Sequence, residues 1–171
     1  MASDPRSFVV DASISAAWFL PDEATPATEA ALQATATHDV WVPSIWLLEM
    51  GNLLLSAQRR KRVTAEKRRD LAAAATALRI RVDRESVSIL ALDEIAARHA
   101  LSAYDAAYLE LALRRGLSLA TLDEALSTAM HKAGVPAARL QVGKGDYIEA
   151  DAVVQKLQQK LEVARRRKPV T

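Results

Sequence analysis

The stretch Phe8-Val9-Val10-Asp11-Ala12-Ser13 joins a short apolar run to the start of a helical pattern. Similar strand-like runs alternate with helical patterns along the chain, which is typical of an α/β domain with a mostly parallel sheet. With 171 residues, half of them hydrophobic, the chain is long enough for one domain with a substantial core. We predict strands over five ranges: 7–11, 39–42, 79–83, 117–121 and 139–142.

Turn and cap residues divide the helical segments from the strands. A Thr followed by Pro predicts one helix start, since Thr caps and Pro suits the first turn. Gly116 is expected to end another helix. The predicted helices begin at Ser13 and Thr25-Pro26, run from Pro43-Ser44 to about Arg60, and cover 64–78, 86–100, 102–115 and 123–132.

The last part of the chain differs in pattern and charge. Residues 150–171 carry six basic and two acidic side chains, a net charge of +4, which leaves 17 basic and 19 acidic groups elsewhere, a net of −2. Apolar residues at helical spacing after Tyr147 predict one amphipathic helix that ends near Pro169. We therefore divide the chain into a domain over 7–146 and a basic helical extension over 147–171.

Four acids lie at the margins of apolar runs: Asp11, Glu49, Asp105 and Asp123. Asp11 and Asp123 follow strand candidates, and ligands of α/β sheets gather beyond the carboxyl ends of the strands. Glu49 is the one charged residue between Val40 and Gln58. Carboxylates are rarely buried without a partner, so the four acids predict a pocket for a hard divalent cation such as Mg²⁺ or Mn²⁺.

Each acid also has a structural interpretation. Asp105 would complete a capping box begun by Ser102, and Asp123 would favour a helix N-terminus next to Thr121. Asp11 would belong to an ordinary turn between strand and helix. Capping does not explain Glu49, because it lies within a helix. We interpret six further acids as solvated: Asp22, Glu23, Asp93, Glu94, Glu110 and Glu124.

The order of these acids, with the residues around them, resembles the PIN-domain ribonucleases and in particular the VapC-type toxins of bacterial toxin–antitoxin pairs. The matching stretches are Val9-Val10-Asp11-Ala12-Ser13, Trp18-Phe19-Leu20-Pro21-Asp22-Glu23, Pro43-x-x-x-x-x-Glu49-x-x-Asn52, Leu101 to Leu109 and Ala120-Thr121-Leu122-Asp123. The resemblance implies a three-layer α/β/α fold with a central, mostly parallel sheet. It also implies that Asp11, Glu49, Asp105 and Asp123 are catalytic and bind Mg²⁺ or Mn²⁺, with Ser13, Asn52 and Thr121 in support.

The same resemblance implies an endonuclease that cleaves RNA, a small antitoxin protein as its partner, and a homodimer. Two alternatives stay open: a PIN-like RNA-processing nuclease without an antitoxin, and a non-catalytic protein-interaction module. The basic run Arg59, Arg60, Lys61 and Arg62 is a candidate contact for the RNA backbone. Cations are also favourable at a helix C-terminus, so the run has an ordinary structural interpretation.

Composition excludes several other classes of protein. The chain has no cysteine, which excludes disulfides, zinc–thiolate sites and cysteine nucleophiles. It has no glycine-rich phosphate loop, which argues against nucleoside-triphosphate chemistry. We find no apolar signal segment and no apolar stretch approaching ~18 residues, and therefore expect a cytoplasmic protein without a membrane contact.

Overall fold

The computed structural model describes residues 7–140 of the chain, apart from the side chain of Pro21. The described residues contain four strands: β1 (Ser7–Val10), β2 (Asp39–Pro43), β3 (Ile80–Asp83) and β4 (Ser118–Ala120). They form one sheet in which every neighbouring pair is parallel, in the order β3-β2-β1-β4. Helices flank this sheet, so the predicted three-layer α/β/α fold is confirmed.

Seven α-helices lie within the described residues, close to the predicted ranges. They are α1 (Ala12–Ala16), α2 (Pro26–Ala34), α3 (Trp46–Arg59), α4 (Ala65–Ala77), α5 (Ile89–His99), α6 (Ala103–Arg115) and α7 (Glu124–Lys132), with a 3-10 turn at Pro21–Glu23 before α2.

The ends of these helices follow from local side chains. Thr25, Thr64 and Ser88 accept hydrogen bonds from backbone N–H groups of the first turn, which stabilises the starts of α2, α4 and α5. Gly116, at φ 62, ends α6 in the left-handed region that glycine adopts without strain. The predicted helix start at Pro43 is wrong, because Pro43 still pairs with β3.

The order of the strands determines where this sheet is suited to bind a ligand. The chain builds the sheet outward in one direction through β1, β2 and β3, then crosses back to add β4 beside β1. Right-handed crossovers place the helices of the two directions on opposite faces. The order therefore reverses between β1 and β4, and α/β proteins bind ligands at the carboxyl ends of the strands at such a point.

Two predictions near the C-terminal end of the domain have different outcomes. Of the strand predicted over 139–142, the described residues 139 and 140 are not in a strand. Ala137 instead forms an isolated parallel bridge with Leu119, since the buried side chain of Val135 anchors this segment earlier in the chain. The extension over 147–171 lies outside the described residues.

None of the helices within residues 7–140 is both long enough and apolar enough to cross a lipid bilayer.

Candidate active site at the carboxyl edge of the sheet

Asp11 lies at the carboxyl end of β1 and is almost completely buried, with 4% of its surface exposed. Its Oδ2 atom accepts hydrogen bonds from the hydroxyls of Ser13, at 2.5 Å, and Thr121, at 2.8 Å. Burial raises the pKa of Asp11, and the hydroxyl hydrogen bonds offset that rise in part. Within residues 7–140 no Lys or Arg forms an ion pair with Asp11.

Glu49 lies near the start of α3 and is partly buried. Its carboxylate accepts a hydrogen bond from the hydroxyl of Tyr108, a fully buried residue of α6. Burial raises the pKa of Glu49, and the negative charges of Asp11 and Asp105 raise it further. The hydrogen bond from Tyr108 acts in the opposite direction and lowers the pKa in part. The structure therefore brings Glu49 within electrostatic range of both Asp11 and Asp105.

Tyr108 was not among the residues that the sequence singled out for this site. Burial, together with the hydrogen bond to Glu49 and the charges of Asp11 and Asp105, raises the pKa of Tyr108 far above its ordinary value. The phenol therefore stays protonated and acts as a hydrogen-bond donor. The sequence signal was weak, because Tyr108 lies in an apolar helical pattern that is equally typical of a core residue.

Asp105 lies in the first turn of α6, where the helix is capped by Ser102 rather than by Asp105 itself. The Ser102 hydroxyl accepts a hydrogen bond from the Asp105 backbone N–H at 3.1 Å and donates one to the Asp105 carboxylate at 2.6 Å. Within the described chain, the reciprocal bond from the Ser102 N–H that would complete a capping box is absent. The Asp105 carboxylate is thus oriented by a hydroxyl and remains partly exposed.

Asp123 is the N-cap residue of α7. Its Oδ1 atom accepts a hydrogen bond from the Leu126 N–H at 2.7 Å, so its capping role is present in the structure. The loop before it is fixed next to Asp11: the Asp123 N–H donates to the Thr121 hydroxyl at 2.9 Å, and the Leu122 N–H donates to the Ser13 hydroxyl at 2.9 Å. The same two hydroxyls therefore hold both Asp11 and the start of α7.

Asn52 lies three residues beyond Glu49 on α3, with an exposed side chain. It makes no side-chain hydrogen bond to any residue within 7–140. A supporting role for Asn52 stays a prediction that rests on its position three residues after Glu49.

The residues at this edge fit a divalent cation by their chemistry. The available donors are carboxylate and hydroxyl oxygens, which hard cations such as Mg²⁺ prefer. In the described part of the chain, however, no three Asp, Glu, His or Cys side chains converge closely enough to hold an ion between them. Mg²⁺ commonly binds through one or two carboxylates and completes its coordination with water and substrate phosphate, so the donor set fits such an ion.

A fifth acid at the same edge has a different environment. Asp83 ends β3, is buried, and accepts hydrogen bonds of 2.6 Å from both Arg114 and Arg115. Burial would raise the pKa of Asp83, but the two guanidinium groups hold it below its ordinary value. Glu110 also pairs with Arg114, at 2.7 Å, and is buried, so its interpretation as a solvated acid is wrong. The contrast separates paired acids from the unpaired group around Asp11.

The basic run over 59–62 surrounds the turn between α3 and α4. Arg62 pairs with Asp22 at 2.6 Å and with Glu23 at 3.4 Å, which ties this turn to the 3-10 turn before α2. Arg59, Arg60 and Lys61 are exposed. An RNA contact by this run stays a prediction, and within it Arg62 already has acidic partners.

The described residues thus form a parallel α/β/α sandwich with acids at its topological switch point. Residues 8–131 match the model of the PIN domain family, and the chain belongs to that family. PIN domains are generally nucleases and typically use divalent metal ions. No curated protein matches the chain. The fold is similar to that in the crystal structure of PAE2754 from Pyrobaculum aerophilum, with a TM-score of 0.55 and 20% identity over 92% of each chain.

Proposed function

We propose that this protein is a Mg²⁺- or Mn²⁺-dependent endoribonuclease and the toxin of a VapC-type toxin–antitoxin pair. The observation that carries the catalytic part is that the charges of Asp11 and Asp105 both act on Glu49. Within residues 7–140, no Lys or Arg forms an ion pair with any of these three acids. Like charges held together in this way disfavour ionisation until a cation arrives. Structural acids are instead neutralised, as Asp83 is.

In this proposal the metal is held by Asp11, Glu49, Asp105 and Asp123. When bound, it lowers the pKa of an attacking water and neutralises charge on the scissile phosphate. The protein contributes orientation. Ser13 and Thr121 fix the Asp11 carboxylate, and hydroxyls from Tyr108 and Ser102 orient the other two: Glu49 and Asp105. Such supporting hydrogen bonds set the direction of each ligand and its basicity.

RNA as the substrate and an antitoxin as the partner follow from the resemblance to VapC-type toxins. Exposed leucines on α3 support a protein partner: Leu47 is 49%, Leu48 65% and Leu55 44% exposed. Leu48 and Leu55 are seven residues apart and share one helix face. Contiguous exposed apolar surface commonly marks a protein-protein interface, which suits an antitoxin or a second copy of the chain.

The test is to express the full-length protein under an inducible promoter and to sequence the 5′ ends of cellular RNA. We expect new 5′ ends at defined positions with the wild type, and none with Asp11→Asn at equal expression. New ends that appear equally with both proteins would rule out the proposed site. Rescue of growth by co-expression of the product of a small neighbouring gene would identify the antitoxin, while cleavage without growth arrest would favour an RNA-processing nuclease.

A further inference from the structure

A cleft of about 450 Å³ opens beside the acidic site, at the carboxyl ends of β2 and β3. One wall is the turn that leads into α3, at Ser44 and Ile45, and another is the segment after β3, from Asp83 to Val87. The third wall belongs to α6. The volume of the cleft lies within the range of roughly 300–1,000 Å³ that is usual for small-molecule sites.

Helix α6 connects the cleft to the acids. Asp105 and Tyr108 act on Glu49, whereas Tyr104, Ala107 and Leu111 line the cleft. Residues 104, 107 and 111 are spaced by three and four, so they form one helix face, and residues 105 and 108 lie on the adjacent face. An RNA strand bound across the acids therefore reaches the cleft by crossing the width of one helix.

The charges of the cleft are balanced although three carboxylates surround it. Asp83, Glu85 and Glu110 all pair with Arg114 or Arg115, at 2.6 to 2.9 Å. Arg84 also lines the cleft, is exposed, and has no ion-pair partner within residues 7–140. Three carboxylates and three guanidinium groups give a formal charge of zero, so a polyanion approaches without net repulsion.

The walls combine apolar surface with one accessible aromatic ring. Ile45, Leu92 and Leu111 supply apolar contacts, and Tyr104 is 60% exposed at the edge of the cleft. A tyrosine combines an apolar ring with a polar hydroxyl, and such side chains are enriched at binding interfaces. Bases of single-stranded RNA bind proteins by stacking on such rings, with basic side chains on the adjacent phosphates.

We propose that this cleft binds the base of a nucleotide flanking the cleaved phosphodiester, with Tyr104 stacking on the base and Arg84 contacting the backbone. This inference rests on the proposed ribonuclease function and adds a subsite to it. It locates part of the substrate selectivity in the residues after β3 and at the start of α6, outside the acids.

The test uses the full-length Asp11→Asn protein, which is expected to bind RNA without cleaving it. The probe is a short fluorescein-labelled single-stranded RNA of mixed sequence, compared with an oligomer of the same length whose central nucleotide is abasic. Tyr104→Ala, Tyr104→Phe and Arg84→Gln are each added to this protein. Leu113→Ala is the matched control, because Leu113 is an exposed residue of α6 outside the cleft.

We expect Tyr104→Ala to raise the Kd for the intact RNA about tenfold or more, since the stacking of the base on the ring is lost. The difference in Kd between the intact and the abasic oligomer should become smaller. Tyr104→Phe keeps the ring and should bind RNA as tightly as the Asp11→Asn reference protein, and so should Leu113→Ala. Arg84→Gln should lower the salt slope of binding by about 0.7, the value for one phosphate contact on a single strand.

The outcomes separate the inference from the function on which it rests. Suppose that the reference protein binds RNA, but Tyr104→Ala changes neither the Kd nor the difference in Kd between the intact and the abasic oligomer. The cleft is then not a base-binding site. If the reference protein binds no RNA at all, the ribonuclease proposal fails and this inference fails with it. Circular dichroism of each variant confirms that a change in Kd reflects the cleft and not a loss of fold.

Discussion

The hydroxyl of Tyr108 donates a hydrogen bond to the carboxylate of Glu49, a residue 59 positions earlier in the chain. This contact joins α6 to α3 across the acidic site, and the ring of Tyr108 is fully buried beneath it. The tyrosine is held by packing, so its hydroxyl has a fixed position. Glu49 is more exposed than Tyr108, and its carboxylate is thus oriented by a rigidly held donor.

The first prediction concerns this donor. Tyr108→Phe keeps the buried ring and removes one hydrogen bond, so we expect the free energy of unfolding to fall by about 0.5–1.5 kcal/mol. Cleavage should fall by about 10- to 100-fold, the usual effect of losing a side chain that orients a metal ligand. Urea unfolding and RNA cleavage with the purified variant measure the two effects.

A double-mutant cycle shows whether the effect passes through Glu49. In a Glu49→Gln background, the added Tyr108→Phe change should have little further effect on cleavage, because the two residues act as one unit. Independent, multiplicative losses from the two changes would contradict the orienting role of Tyr108.

The second prediction is a pH dependence of stability in the metal-free protein. Burial raises the pKa of Asp11 and of Glu49, so between the ordinary and the raised values the folded protein holds more protons than the unfolded chain. The free energy of unfolding therefore falls as the pH rises through this interval above about pH 4. Asp11→Asn removes one such group and retains an oxygen that accepts from Ser13 and Thr121.

We expect Asp11→Asn to have a higher Tm than the wild type at pH 7 in EDTA, and this advantage should shrink as the pH approaches 4. Differential scanning fluorimetry over this pH range measures it. The exposed acid Asp93 provides a control, since Asp93→Asn should give no such trend. A Tm of Asp11→Asn below that of the wild type throughout would show that the Asp11 charge stabilises the fold.

The third prediction separates the two roles of Asp123. Asp123→Asn keeps a side-chain oxygen for the Leu126 N–H and removes the charge, whereas Asp123→Ala removes both. The alanine variant should lose about 0.5–2 kcal/mol of stability as the N-cap of α7 is lost, and the asparagine variant should lose little. If Asp123 binds metal, both variants should lose cleavage. Full cleavage by Asp123→Asn would assign the residue to capping alone.

Much of the fold was predictable because the decisive signals are local. The run Phe8-Val9-Val10 ends in Asp11, and the caps Thr25 and Ser102 begin helices at the expected places. The order of the strands, by contrast, is a tertiary property. The positions of Asp11 and Asp123 after strands were predictable from local patterns, whereas the pairing of β1 with β4, which places the two strand ends side by side, was not.

The parts that were not predicted depend on contacts between distant residues. Asp83 ends a strand and Asp11 directly follows one. The difference between their environments is that Arg114 and Arg115 reach Asp83 from the end of α6. The donor to Glu49 likewise comes from another helix. Sequence spacing identifies carboxylates at the edge of the sheet, but the identity of the neutralised ones follows from the packing of α6.

The fourth prediction concerns the cation itself. The charges of Asp11 and Asp105 act on Glu49, and within residues 7–140 no Lys or Arg pairs with these acids. Mg²⁺ or Mn²⁺ should therefore raise the Tm of the wild type, and EDTA should abolish cleavage. The increase in Tm should be smaller for Asp11→Asn and Asp105→Asn, each of which removes one ligand charge, and unchanged for Asp93→Asn. Fluorimetry with increasing metal concentration gives the stabilisation, and cleavage after dialysis against EDTA gives the activity. Cleavage that persists after exhaustive chelation would exclude the metal-dependent mechanism, while an equal increase in Tm for all four proteins would place the cation elsewhere on the surface.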